Sequence, residues 1–298
     1  MTKILRMCTL CCVLLAVAAC DSNEIEKPIN KYVGTYQFAD YTIDPADALN
    51  LNPPIAGALY VDYQFSDSAN LSPVRFGQFF RYMGGSILPQ ALYSLSLLNN
   101  GNIIATYPQT SRVTFNPKDI NFLNIMMGKY KYPTADKVEA GFLTADEADV
   151  TSPEGVATWQ VVDNMFRLKL NLTAITGQAP QDPASVDMGV IMEAFLQLAP
   201  TTQGQLMGWI TSGIPMKIEE NVAAGTVRIY LDKEMLTNLF TKQDGKNYEI
   251  KKLWDALLKA GVLPKEYSSA SMLLTTIGSN WEKTTVFNIG LELKKTGK

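Results

Sequence analysis

Between Phe166 and Leu172 every second residue is apolar: Phe166, Leu168, Leu170 and Leu172 alternate with Arg167, Lys169 and Asn171. A period of two sends successive side chains to opposite faces of a strand. This segment must therefore bury one face and wet the other, the habit of antiparallel sheets. The pattern recurs. Leu59, Val61, Tyr63 and Phe65 oppose Asp62 and Gln64; Ile214, Met216 and Ile218 oppose Lys217 and Glu219. Val227, Ile229 and Leu231 form another such face, and Phe287, Ile289, Leu291 and Leu293 oppose Asn288, Glu292 and Lys294. Several of these runs are joined by tight turns. Asn99-Asn100-Gly101 links 92–98 to 102–107, Asp163-Asn164 links 156–162 to 165–173, and Ala224-Gly225 precedes Val227. Asn and Gly supply the positive φ angles that two-residue hairpin turns require.

Helical segments lie between the hairpins. Ser72 has the chemistry of an N-cap and Pro73 suits a first turn, so a helix carrying Val74, Phe79, Phe80 and Met83 is expected to end at Gly84-Gly85. Asn116-Pro117 is expected to open a second helix through Phe122, Leu123 and Met126. Helices are also expected over 184–198 and 203–211, after a cap at Asp232, and over 272–277. The clearest helix carries Ile250, Leu253, Trp254, Leu257 and Leu258 at helical spacing, with Gly261 and Pro264 as its stop. Helices do not alternate with single strands, which argues against a doubly wound parallel sheet. The expected fold class is α+β: a mainly antiparallel, barrel-like or strongly bent sheet with several helical insertions.

Composition narrows the chemistry. The chain has no histidine, so Ser-His-Asp and Cys-His catalysis and His/Cys zinc sites are excluded. All four cysteines, Cys8, Cys11, Cys12 and Cys20, lie in the first twenty residues. With 47% hydrophobic residues the remainder has enough apolar content to rely on its core rather than on disulfides. At the N-terminus, Lys3 and Arg6 precede an apolar run from Met7 to Ala19, then Cys20 and the polar Asp21-Ser22-Asn23-Glu24. This is the layout of a secretory signal, too short to span a bilayer, which takes roughly 20 apolar residues. Loss of Lys3 and Arg6 leaves 24 basic against 29 acidic side chains. That balance, with no basic stripe, opposes nucleic-acid binding. The expected organisation is a leader over 1–19, a tether over 20–31, and one α+β domain over 32–298 with a sub-boundary near 177–183.

The residues also carry a resemblance. Cys20 directly after Ala18-Ala19 resembles the lipobox of bacterial lipoproteins. That implies cleavage before Cys20, lipidation of its thiol, and display in the cell envelope. The acids Asp21, Glu24 and Glu26 partly match the surface-export signal of Bacteroidetes lipoproteins. Tyr32-Val33-Gly34-Thr35-Tyr36, the hairpin over 95–107 and the segment 287–293 resemble Bacteroidetes lipoproteins of unknown function with a lipocalin-like, calycin-type β domain. The resemblance covers about a quarter of the chain. It implies a β-barrel held to the outer membrane through Cys20. The helical stretches 184–212 and 232–279 depart from a simple eight-stranded lipocalin.

Candidate chemistry is sparse. Asp136 to Glu147 echoes a calcium loop, but Val138 and Ala140 occupy two of its ligand positions and cannot ligate through their side chains. Asp146, Glu147, Asp149 and Glu154 could hold a metal or act as paired carboxylates, yet they read as a charged surface loop. Asp67-Ser68-Ala69 resembles a short O-glycosylation signal of Bacteroidetes exported proteins and reads equally as a polar turn. Trp254 belongs to a core stripe. Trp159 and Trp281 sit where strands could reach a cavity mouth, and Arg75, Arg81, Arg167 and Arg228 could fix an anionic group. The ligand-binding candidates are Trp159, Arg167, Arg228, Tyr230 and Trp281; no catalytic residue, metal or cofactor is expected. The leading expectation is a non-enzymatic, membrane-anchored protein that binds a small apolar or amphipathic ligand. A glycan-binding or interaction subunit of an outer-membrane uptake complex is the alternative, and a carboxylate-based hydrolase the third.

Overall fold

The structure is a computed structural model that describes residues 30–43, 54–114, 122–171, 187–242, 245–263, 268 and 270–297. The leader, Cys20, the tether up to residue 29, Asn116-Pro117 and the expected sub-boundary at 177–183 lie outside the described residues.

After a short 3-10 turn, Asn30–Tyr32, the first strands are β1 (Gly34–Phe38), β2 (Thr42–Ile43), β3 (Ile55–Ala56) and β4 (Leu59–Phe65). Helix α1 (Ser72–Ala91) precedes the hairpin β5 (Ser94–Leu97) and β6 (Asn102–Tyr107). Two short helices, α2 (Phe122–Met126) and α3 (Ala135–Glu139), lead to β7 (Val150–Thr151), β8 (Ala157–Val162) and β9 (Met165–Leu170). Helices α4 (Met188–Leu196) and α5 (Pro200–Ser212) follow, then β10 (Ile214–Asn221) and β11 (Thr226–Leu231). The chain finishes with α6 (Lys233–Leu236), a 3-10 turn Thr237–Phe240, α7 (Glu249–Lys259), α8 (Ala270–Ser279) and the long β12 (Thr284–Gly297).

Eight antiparallel strands close into a barrel in the order β1-β5-β6-β8-β9-β10-β11-β12, and β12 returns to pair β1. The expected α+β, barrel-like fold is therefore present. Strand β12 is long enough to serve two partners: Leu293 to Gly297 lies on β1, whereas Thr284 to Leu291 pairs β4, which stands outside the cycle. One side of β4 would be an open edge, a template for unwanted pairing. Arg81 on α1 blunts it, donating from Nε to the Val61 carbonyl at 2.8 Å and from Nη1 to the Ile55 carbonyl at 3.2 Å.

Local chemistry explains the elements. Asp163 and Asn164 adopt φ of 53° and 60°, the paired positive values of a tight hairpin turn. The Asp232 carboxylate caps α6 by accepting the Met235 N–H at 3.0 Å. Helix α1 departs from expectation at both ends. Ser72 lies inside the first turn, and its N–H is taken by the Asn70 side chain at 3.0 Å. The helix then runs through Gly84-Gly85 to Ala91. These glycines do not end it. A β-carbon at Gly84 would sit 2.3 Å from that of Leu59, and one at Gly85 would sit 2.9 Å from the Tyr41 ring. The pair lets the helix press onto β4 and its neighbours, and that contact outweighs glycine's intrinsic helix penalty.

The barrel's inward face falls into two halves. At one end Tyr36, Leu97, Ile103, Trp159, Val161, Phe166, Ile229 and Leu293 pack together. The Trp159 and Phe166 rings stack with centroids 5.8 Å apart and planes 14° apart. The Trp159 indole N–H reaches the Leu98 carbonyl at 3.1 Å, and the Tyr36 hydroxyl reaches the Tyr32 carbonyl at 2.8 Å. Leu168 and Met216 touch both halves. At the other end the same strands continue with Leu231, Phe287 and Ile289, now facing α1 and the helices that follow β9. A fully buried acid ties this cap: Glu249, at the start of α7, accepts the Ala199 N–H ahead of α5 at 2.7 Å and the Lys252 ammonium at 2.8 Å.

Candidate functional site: an apolar cavity under the helical cap

Between the barrel mouth and its helical cap lies a cavity of about 330 Å³ lined by sixteen residues. The floor is barrel: Leu231, Phe287 and Ile289. One wall is Phe80 and Met83 of α1, another Leu206 and Trp209 of α5. The turn after β11 supplies Leu236, Leu239 and Phe240. The roof is Ile250 and Trp254 of α7 with Ala270, Leu273, Leu274 and Ile277 of α8. The last four repeat at i, i+3, i+4 and i+7, so α8 turns one stripe inward.

None of the sixteen side chains is charged, and the only polar side-chain atoms among them are indole nitrogens. Such a lining offers apolar burial worth about 25 cal/mol per Å². It offers almost nothing to orient a polar group. A charge or an unpaired amide placed inside would lose its hydration without replacement. The arrangement can hold hydrocarbon; none of the sixteen described lining side chains carries a carboxylate, amine, hydroxyl or thiol.

The five sequence-derived candidates do not meet at this cavity. Trp281 comes nearest. It is 6% exposed, stacks on the lining residue Phe240 at 4.3 Å, and reaches the Thr237 hydroxyl through its indole N–H at 3.3 Å. It is a second layer behind the wall. Trp159 is 1% exposed and belongs to the packed half of the barrel. Arg167 lies on the outer face of β9, opposite Gln160 of β8 and Pro215 of β10.

Arg228 and Tyr230 do come together, on the outer face of β11. Arg228 has Glu219 and Glu292 as its cross-strand neighbours and pairs with Glu292 at 3.1 Å. Its guanidinium lies 4.5 Å from the centre of the Tyr60 ring, and its Nε is buried without a hydrogen-bond partner. The Tyr230 hydroxyl donates to Glu219, and burial, then that carboxylate, push its pKa up. Tyr60 and Tyr230 flank Gly290 in register and meet edge to face at 5.2 Å. A β-carbon at Gly290 would lie 2.4 Å from the Tyr230 Cα, so the glycine leaves the two rings room to close over the strand. Burial lowers the pKa of Arg81.

The acidic run is distributed over separate partners. Glu147 pairs with Arg112 and accepts the Thr144 N–H at 2.9 Å; Arg112 first, then that N–H, lower its carboxyl to about 2. Asp149 accepts the Gln109 N–H at 3.0 Å, and Glu154 accepts from the Asn102 amide at 3.1 Å. Asp67 closes a turn onto the Ala69 N–H at 3.0 Å. Among the described residues no three His, Cys, Asp or Glu side chains gather where they could hold a metal ion, and no helix is long and apolar enough to cross a membrane.

Sequence reasoning missed the cavity lining as a set. Its separate stripes were visible, Trp254 on α7 among them, but not that stripes from five helical segments converge on one barrel mouth. In comparisons with known proteins, no family model, no curated protein and no solved structure matches this chain. Fold and site together define its class: a lipocalin-like α+β barrel with an apolar cavity beneath a helical cap.

Proposed function

We propose that the protein is a non-enzymatic, lipid-anchored protein of the cell envelope that binds a small apolar or amphipathic ligand, in the manner of Bacteroidetes lipocalin-like lipoproteins. The observation that carries the ligand reading is the cavity of about 330 Å³ with its uncharged lining. The volume falls in the range of roughly 300–1,000 Å³ typical of small-molecule sites. The anchoring reading rests on the signal-like segment ending at Cys20. The described chain starts at the packed end of the barrel, where Tyr32 joins the Trp159 cluster. A tether leaving there would keep the capped end free.

Two measurements test the proposal. An environment-sensitive apolar dye should bind the purified protein with saturation at one equivalent and be displaced by apolar competitors, whereas an oligosaccharide panel should not displace it. Saturable glycan binding without dye binding would overturn the ligand reading. Cys20→Ser should move the protein from the membrane fraction to the soluble fraction, and continued membrane retention would overturn the anchor.

A further inference from the structure

The roof of the cavity is one side chain thick along one seam. On α7, Trp254 lines the cavity while the next residue, Asp255, is turned outward and 44% exposed. On α8, Ala270 lines the cavity while the next residue, Ser271, donates its hydroxyl to Asp255 at 2.9 Å. Lys251 takes the other Asp255 oxygen. The two helices thus meet as an apolar pair inside and a polar trio outside.

The two ends of α8 are held differently. Near its C-terminus Gly278 lies against the Tyr248 ring so closely that a β-carbon would sit 2.7 Å from three ring atoms. Asn280 just beyond reaches back to the Thr276 carbonyl at 2.9 Å. Toward its N-terminus, Ser271 to Asp255 is one tie to α7 among the described residues. Of the ten residues in α8 only Ile277 and Gly278 are buried, both in the C-terminal half, and Met272 is 74% exposed. The C-terminal half of the helix is the more deeply buried.

Resting on the ligand reading above, we infer that the cavity takes the hydrocarbon tail of a single-tailed amphiphile, which enters between α7 and α8 and leaves its polar end outside at the Lys251–Asp255–Ser271 seam. The uncharged lining requires a hydrocarbon inside, because a polar group there would be stranded. Solubility requires a polar group on the same molecule, and the seam is where the wall changes from apolar to polar within one residue. The other end of the barrel is filled by the buried cluster around Trp159. A cavity of about 330 Å³ limits the length of tail it can take.

The test uses the full-length protein and straight-chain alkanoates of graded length, read by the fluorescence of Trp209 and Trp254, which line the cavity. Affinity should rise about fourfold per added methylene, the factor that corresponds to ~0.8 kcal/mol per buried CH₂, and level off once the tail outgrows the cavity. Filling the space with Leu274→Trp should abolish binding; Ala270→Phe is the second filling variant should the first unfold. Ser271→Ala removes one hydrogen bond to a carboxylate from the closed seam, so it should speed both association and dissociation by roughly tenfold or more. Tight binding of compact ring carboxylates but not of alkanoates would overturn the tail and leave the ligand reading standing. Unchanged rates in Ser271→Ala would overturn the seam as the entrance. Failure of chains and rings alike would overturn the ligand reading itself.

Discussion

The two halves of the barrel interior are built from the same strands and the same inward face, yet one is filled and the other is not. On β12, Leu291 and Leu293 join the packed half, whereas Ile289 and Phe287, two and four residues before Leu291, face the cavity. On β11 the division falls between Ile229 and Leu231. The difference lies in what stands opposite. In the packed half, strands face strands across the barrel, and Trp159, Phe166 and Tyr36 belong to one buried cluster with the aliphatic residues around them. In the capped half, the strands face helices, and the apolar side chains between them leave a cavity of about 330 Å³. The cavity thus lies where a sheet with a period of two is roofed by helices with a period of 3.6.

The largest expected effect tests the solid half. Trp159→Ala should cost about 3–5 kcal/mol, the range for removing a buried aromatic from a core that cannot collapse. Urea denaturation monitored by circular dichroism would measure it. A loss below about 1 kcal/mol would mean that this half is as loose as the other, and the contrast would fail.

Alkali should stress both halves together. Burial raises Tyr36 in the packed half and Tyr63 in the capped half to about 12 each. Their protonated forms are favoured by the fold, so this stability is fully present below the unfolded value of about 10 and is lost as pH climbs toward 12, at about 1.4 kcal/mol per unit for each group. Tyrosinate absorbance and circular dichroism recorded together between pH 9 and 12 should change in one coupled step. Ionisation of both tyrosines near 10 with the fold intact would contradict their burial. Tyr36→Phe should flatten the pH dependence without touching the cavity.

The junction between the halves and the cap depends on close approach. Gly84→Ala would stabilise an isolated helix by ~1 kcal/mol, but its β-carbon would stand 2.3 Å from Leu59. The clash dominates, and a net loss of about 1–3 kcal/mol is expected. A stabilised variant in thermal melts would mean that α1 ends at this glycine pair after all.

Much of this architecture was legible beforehand. Period-two runs and the Asp163-Asn164 and Asn99-Asn100-Gly101 turns reported strands and hairpins, because both are local: side-chain alternation and backbone φ are properties of a few adjacent residues. The α7 stripe was equally plain. The reading failed where one residue type serves two ends. Glycine terminates helices and also admits a neighbour, and Gly84-Gly85 does the second because Leu59 and Tyr41, distant in sequence, are there to be admitted. Closure of β12 onto β1 joins residues more than 250 apart, and no local pattern encodes such a pairing. The cavity was illegible for the same reason. Periodicity states which side of a helix is apolar and not what it faces. Val227, Ile229 and Leu231 were legible as one face of their strand, but which side of a barrel the opposite face, with Arg228, becomes depends on the closure.

The smallest expected effect separates the halves most sharply. In a filled core, Leu→Ala commonly costs 2–5 kcal/mol, because lost burial is joined by a new void. Leu274 already borders open space and is only partly buried. The void left by Leu274→Ala would merge with the existing cavity, so the expected loss is about 1 kcal/mol, against about 3–5 kcal/mol for Trp159→Ala. Leu274→Phe adds apolar contact without displacing backbone and should change stability by less than about 1 kcal/mol in either direction. Both variants are measured by the same denaturation as Trp159→Ala. Should Leu274→Ala prove as costly as the tryptophan deletion, the helical cap would be packed as tightly as the barrel floor, leaving no room there for any ligand's hydrocarbon.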